Sequence, residues 1–165
     1  AYWNRFLTGG FQLTSTIVQA PNGALLSPGD LSLLPERMRQ VEARQRIVEH
    51  SQTASPLANA FRSQYSQMLD FLAAKDAHIC LAGYPVSPDY RAAFDEFAEP
   101  AAKAERLATQ AFFAAEAKRV GGVYVNLEAA IDDRSAFRDV DHLNAAATPL
   151  FSKVLMQACF GDNWS

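Results

Sequence analysis

Two short apolar runs separated by a helical pattern constrain this chain most. His78-Ile79-Cys80-Leu81-Ala82-Gly83 is nearly continuous in apolar residues, and Val123-Tyr124-Val125-Asn126-Leu127 is a second run of the same kind. Such runs belong to strands buried on both faces of a parallel sheet. Between them, Ala101 to Arg119 is alanine-rich, with Leu107, Ala111, Phe112 and Ala115 on one side, and reads as a helix stopped by Gly121-Gly122. From Pro56 onward the order is helix, strand, helix, strand, helix. That alternation specifies right-handed crossovers and an α/β fold, a parallel sheet flanked by helices. Two clear strands are too few to finish a sheet. Further strands are expected either from the N-terminal segments or from residues outside this chain.

The 165 residues fit one domain. Residues 1–34 read as an irregular lead-in, with a candidate strand at Phe11–Val18 and turns at Pro21-Asn22-Gly23 and Pro28-Gly29-Asp30. Residues 35–165 carry the alternating helices and strands. Pro35 suits the first turn of a helix running to about Gln52, with Leu34, Met38, Val41 and Val48 on one face. Arg37, Arg39, Arg44 and Arg46 alternate there with Glu36, Glu42 and Glu49, the pattern of a solvated, ion-paired face. Ser55-Pro56 caps the next helix, whose stripe Leu57, Phe61, Tyr65, Met68, Leu69 and Leu72 is expected to pack in the core. Tyr84-Pro85-Val86-Ser87-Pro88 leaves the first strand as a stiff loop, and loops at this end of a parallel strand line ligand sites as readily as they connect elements. Asp89 to Phe97 reads as a short helix. Thr148 to Cys159 reads as the last one, with Leu150, Phe151, Val154, Leu155 and Ala158 on its apolar face.

A net charge of -3 leaves no basic surface for phosphates, so no nucleic-acid partner is expected. No run of about 18 apolar residues is present to span a membrane. No leader is recognisable, and the chain begins at Ala1-Tyr2-Trp3, so a processed or truncated product is expected. The two cysteines, Cys80 and Cys159, lack metal-ligand spacing. Cys80 reads as a small buried hydrophobe, and whether it pairs with Cys159 is left open.

The residues with most chemistry lie at Phe137-Arg138-Asp139-Val140-Asp141-His142-Leu143-Asn144. A histidine acting as a general base needs one ring nitrogen free and the other tied to an acceptor. A carboxylate three residues away can take that second N–H, fix the tautomer and stabilise the imidazolium. Asp139 is placed to do this for His142. Asp141, adjacent in sequence, is expected to point elsewhere. Asp139 is explained equally well as the N-cap of the following helix.

In its setting after a strand and before the last helix, this block resembles the C-terminal catalytic block of the SGNH (GDSL-type) hydrolase superfamily. The resemblance covers about residues 56 to 160, including the strand and Pro loop at His78 to Pro88. It is greatest to the bacterial branches tied to envelope polysaccharides, alginate O-acetyltransferase-like proteins and the D-alanyl transfer proteins of lipoteichoic acid. It implies a three-layer, flavodoxin-like fold, incomplete at its N-terminus, in a periplasmic or extracellular protein. It implies an esterase or O-acyltransferase acting on acyl esters of a carbohydrate, without a cofactor, with His142 as base and Asp139 as its orienting acid.

The family's nucleophile motif, Gly-Asp-Ser after the first strand, is absent. In the nearest string, Gly29-Asp30-Leu31-Ser32, the serine is displaced by one residue and no convincing strand precedes it. The oxyanion block Gly-x-Asn-Asp is also absent, since Gly161-Asp162-Asn163 follows the histidine. The nucleophile is therefore expected on a missing N-terminal segment or a partner chain. The alternative is an inactive domain of this type that binds carbohydrate or protein. His50 and His78 lack metal spacing, and His78 reads as structural. Tyr84, Asp89, Tyr90 and Arg91, on or beside the Pro loop, are positioned either to contact substrate or simply to furnish a loop.

Overall fold

The computed structural model describes residues 18–19, 25–26, 29–52 and 58–161. Two short antiparallel strands come first, β1 (Val18–Gln19) and β2 (Leu25–Leu26). Of the expected strand Phe11–Val18, only Val18 is described, and it opens β1. The turn at Pro21–Gly23 and the Ser55-Pro56 cap lie outside the described residues. Five helices and two strands follow: α1 (Glu36–Gln52), α2 (Ala58–Ala73), β3 (Cys80–Gly83), α3 (Pro88–Phe97), α4 (Pro100–Arg119), β4 (Val123–Asn126) and α5 (Thr148–Phe160). Strands β3 and β4 pair in parallel, Cys80 opposite Val123 through Gly83 opposite Asn126. The fold is thus α/β, mostly helical, with a small parallel sheet flanked by helices.

Local chemistry sets the element ends. Ser87 caps α3 by accepting the Tyr90 N–H at 3.2 Å, and Pro88 follows in the first helical turn. Pro100 does the same for α4, whose last turn carries Lys118 and Arg119 against the helix dipole. Gly121 has a φ of 72°, which reverses the chain out of α4. Gly122 brings the start of β4 against β3, and a Cβ there would lie 2.4 Å from the Ile79 carbonyl oxygen.

The buried core lies away from the sheet. Its cluster joins Leu31 before α1, Ala43 and Ile47 of α1, Tyr90 and Ala93 of α3, Phe137, Val140 and Phe151. The expectation of strands buried on both faces therefore fails. Ala82 is exposed and the other residues of β3 are only half-buried, because α4 and α5 are what packs on a sheet of two strands. The helix faces also differ from those expected. On α1, Met38, Val41 and Val48 are exposed, while Ala43 and Ile47 are buried against α3. On α4, Leu107 is exposed and Ala117 is buried. On α2, Leu69 is the one described residue of the expected stripe that is fully buried, Phe61, Met68 and Leu72 are exposed, and Leu57 lies outside the described residues. Tyr65 meets Phe113 of α4 edge-on at 5.2 Å.

Two of the four arginines read as solvated turn inward. Arg39 Nε lies 3.3 Å from Asp89 Oδ1, and Arg46 Nε lies 3.2 Å from Asp141 Oδ1. Charged side chains are seldom buried without partners. Here the partners come from α3 and from the loop before α5, so α1 is docked by ion pairs as well as by Ala43 and Ile47.

Cys80 and Cys159 form a disulfide. Their Cα atoms stand 5.8 Å apart, within the usual bridging range. Cys80 is thus a covalent tie from β3 to α5, half-buried, rather than a buried free thiol.

Candidate functional site

The segment from Phe137 to Asn144 folds as a closed loop. Phe137 and Leu143 form an antiparallel bridge, and the Arg138 N–H donates to the His142 carbonyl at 2.9 Å. Phe137 and Val140 are fully buried and hold the loop from inside. Asn144 locks its exit. Its Nδ2 donates to the Gly29 carbonyl at 2.9 Å and to the Ser135 carbonyl at 2.6 Å, and its Oδ1 accepts the Ala147 N–H at 3.0 Å. The Ser87 N–H donates to the Val140 carbonyl at 3.0 Å, so the Pro loop abuts the same segment.

On this loop His142 Nδ1 lies 2.9 Å from Asp139 Oδ1. The imidazole is about half exposed, 53%, with its Nδ1 edge turned to the carboxylate. The helix-cap explanation of Asp139 fails, since α5 begins at Thr148 and its cap position is Ala147. Asp139 instead accepts the Asp141 N–H at 3.2 Å and is gripped by Arg138, with Nε 3.0 Å from Oδ2. Asp141 does not point away as expected. Its Oδ1 lies 3.1 Å from His142 Nδ1. The bend in the loop turns both carboxylates to the same ring edge.

The two acids titrate in opposite directions. Burial pushes the Asp139 carboxyl up, but the His142 imidazole, the hydrogen bonds from His142 and Asp141, and Arg138 outweigh it, and the net shift is downward. Burial and the adjacent Asp139 raise Asp141 against the pull of His142 and Arg46. Glu42 on α1 is raised by burial first and then by Asp139. Glu42 and Asp141 therefore bind protons in the folded chain at higher pH than in the unfolded one. Folding is favoured as pH falls from neutral towards their ordinary values of 4.5 and 3.8. Asp139 stabilises the fold above 3.8, and that contribution is lost as pH drops through its lowered folded value. Urea unfolding as a function of pH should show the contribution of Glu42 and Asp141 growing as pH falls from neutral, and that of Asp139 being lost at lower pH. Glu42→Gln should remove part of the rise. An unchanged acid-side rise in that variant would refute the assignment.

Asp139, Asp141 and His142 place ligand atoms within 4.8 Å of one another, close enough for a divalent cation. Arg138 and Arg46 already press on the two carboxylates, at 2.9 Å and 3.2 Å, so an incoming cation would meet two guanidiniums. The charge is balanced for an imidazole held by acids.

Beside the loop lies an open cleft of about 840 Å³. It runs from His50 of α1 past Tyr84, Tyr90 and Phe94 to Arg106 of α4 and Glu128, with Asp141 in its wall. The candidate loop residues divide here. Tyr84 and Tyr90 line the cleft. Asp89 is buried between Arg39 and Arg134, and Arg91 donates to the Val86 carbonyl at 2.7 Å and the Glu128 carbonyl at 3.2 Å. Both belong to the scaffold. His78 is exposed, two residues before β3. Ser32 sits in a turn on the surface, its hydroxyl donating to Asp30 Oδ1 at 2.5 Å.

Sequence reasoning missed the α1 side of the site. His50 Nε2 lies 3.4 Å from Asp141 Oδ2, and His50 Nδ1 lies 2.9 Å from the Tyr90 hydroxyl. Glu42, Arg46 and His50 recur at helical spacing, a legible face, but nothing in the sequence says which partner it meets. No protein-family model, curated protein or solved structure matches this chain.

Proposed function

We propose that this chain carries the histidine and acid of an SGNH-like esterase or O-acyltransferase acting on acyl esters, with a carbohydrate as the alcohol. One observation carries the reading. Asp139 takes the Nδ1 edge of a half-exposed His142, which leaves Nε2 to serve a hydroxyl. In such a reaction Nε2 accepts the serine proton as Oγ attacks the ester carbonyl, and returns it to the departing alcohol. The acyl group then passes from serine to a second hydroxyl or to water. Asp139 holds the tautomer and stabilises the imidazolium throughout. No cofactor takes part in this chemistry.

Among the described residues no serine hydroxyl hydrogen-bonds His142. The nucleophile is assigned to polypeptide beyond the described residues, on a missing N-terminal segment or a partner chain. The half-covered sheet and the exposed Phe61, Met68 and Phe71 of α2 support that assignment, since a three-layer fold would bury both under further strands and helices. The disulfide supports an oxidising compartment, periplasmic or extracellular. That no described serine hydroxyl meets His142, beside a cleft walled by aromatic rings, favours one second reading, an inactive domain of this type that binds saccharide or protein.

The test is turnover of acetylated saccharides by the protein together with its serine-bearing portion. His142→Ala is expected to lower the rate at least about a hundredfold. Turnover indifferent to that change would remove the esterase reading.

A further inference from the structure

We infer that Asp141, held by Arg46 and His50 of α1, is a second positioning carboxylate for His142, so that two acids orient the imidazole. The inference rests on reading His142 as the base and adds a residue to that site. The Nδ1 edge of the ring lies between Asp139 Oδ1 at 2.9 Å and Asp141 Oδ1 at 3.1 Å. Asp141 is the more enclosed of the two, with its side chain 8% exposed against 18% for Asp139. Its Oδ1 is buried and accepts no hydrogen bond in the present arrangement. Arg46 and His142 both lie within ion-pair distance of it without a well-aligned hydrogen bond, and a small rotation of the His142 ring would align one.

The two acids are anchored from different sides. Arg138, on the loop itself, grips Asp139. Asp141 is held from α1, with Arg46 Nε 3.2 Å from Oδ1 and His50 Nε2 3.4 Å from Oδ2. Tyr90 of α3 backs His50, and Glu49 binds the other end of Arg46 at 3.1 Å. Glu42 is a further carboxylate facing the pair. The ring thus takes its orientation from the loop through Asp139 and from the helical core through Asp141.

A single-acid site and a two-acid site differ in what Asp139→Asn does. With one acid, the tautomer is lost. With two, Asp141 still accepts Nδ1–H. Imidazole nitrogen NMR of the full chain at neutral pH reads this directly and needs no turnover, so its outcome is independent of whether esterase activity is found. Wild type is expected to hold the Nδ1–H tautomer of His142 in excess by about tenfold or more, as a hydrogen bond to a charged acceptor provides. Asp139→Asn should keep that excess, and Asp139→Asn with Asp141→Asn should abolish it. Loss of the excess in Asp139→Asn alone would overturn the proposal, as would its survival in the double variant. Where the double variant does not fold, the single variant still decides. Its Asp141 carboxyl carbon signal must move when His142 ionises, and a signal that stays still refutes the contact.

Discussion

Breaking the Cys80–Cys159 bridge is expected to cost about 4 kcal/mol of folding stability. The bridge closes a loop across a separation of 79 residues. For a loop of that size the chain-entropy argument gives about 4.5 kcal/mol, and measured bridges more often contribute about 2–4. The reason is in the unfolded chain, which gains freedom when its two ends are released. Urea unfolding with and without reductant, and of Cys80→Ala with Cys159→Ala, measures the loss. The slope of free energy against urea should rise as well, because the released chain exposes more surface. A midpoint unchanged by reduction would mean that the bridge does not form in the folded protein.

Phe137→Ala is expected to cost about 3–5 kcal/mol. Phe137 is completely buried, and its position is unusual because it is also the neck of the His142 loop. Its backbone carbonyl accepts the Leu31 N–H at 2.8 Å, so the ring, the bridge to Leu143 and the turn at Leu31–Leu33 settle together. The neighbours are side chains from α1, α3 and the loop, which cannot all move in to fill the space. The same substitution at the exposed Leu150 should change stability by less than about 0.5 kcal/mol. Equal effects at the two positions would contradict the placement of the core.

Element order was readable in advance because it depends on local rules. Gly121-Gly122 ends the alanine-rich helix, and both apolar runs became paired strands. Buried faces were not readable, because they depend on what lies opposite. Val41 and Val48 look like a core stripe, yet the inward side of α1 carries Arg39, Glu42 and Arg46 beside Ala43 and Ile47. Those charges are tolerated because Asp89 and Asp141 meet the arginines, a long-range fact that periodicity does not contain. The site divides in the same way. Asp139 and His142 were legible from a spacing of three. Asp141 was misjudged, because adjacent side chains diverge in regular structure but converge in a bend. His50 was invisible, since 92 residues separate it from His142.

The bridge between β3 and α5 also determines how the protein carries load. A pull on the two chain ends passes through the sulfur–sulfur bond and bypasses everything from β3 to α5. Roughly 260–280 Å of contour stays slack until the bond is reduced, at about 3.3–3.6 Å per residue. Asp139, Asp141 and His142 all ride within that unloaded ring. Helix α1 does not, so tension can peel Glu42, Arg46 and His50 away while the loop that bears His142 feels no stretch.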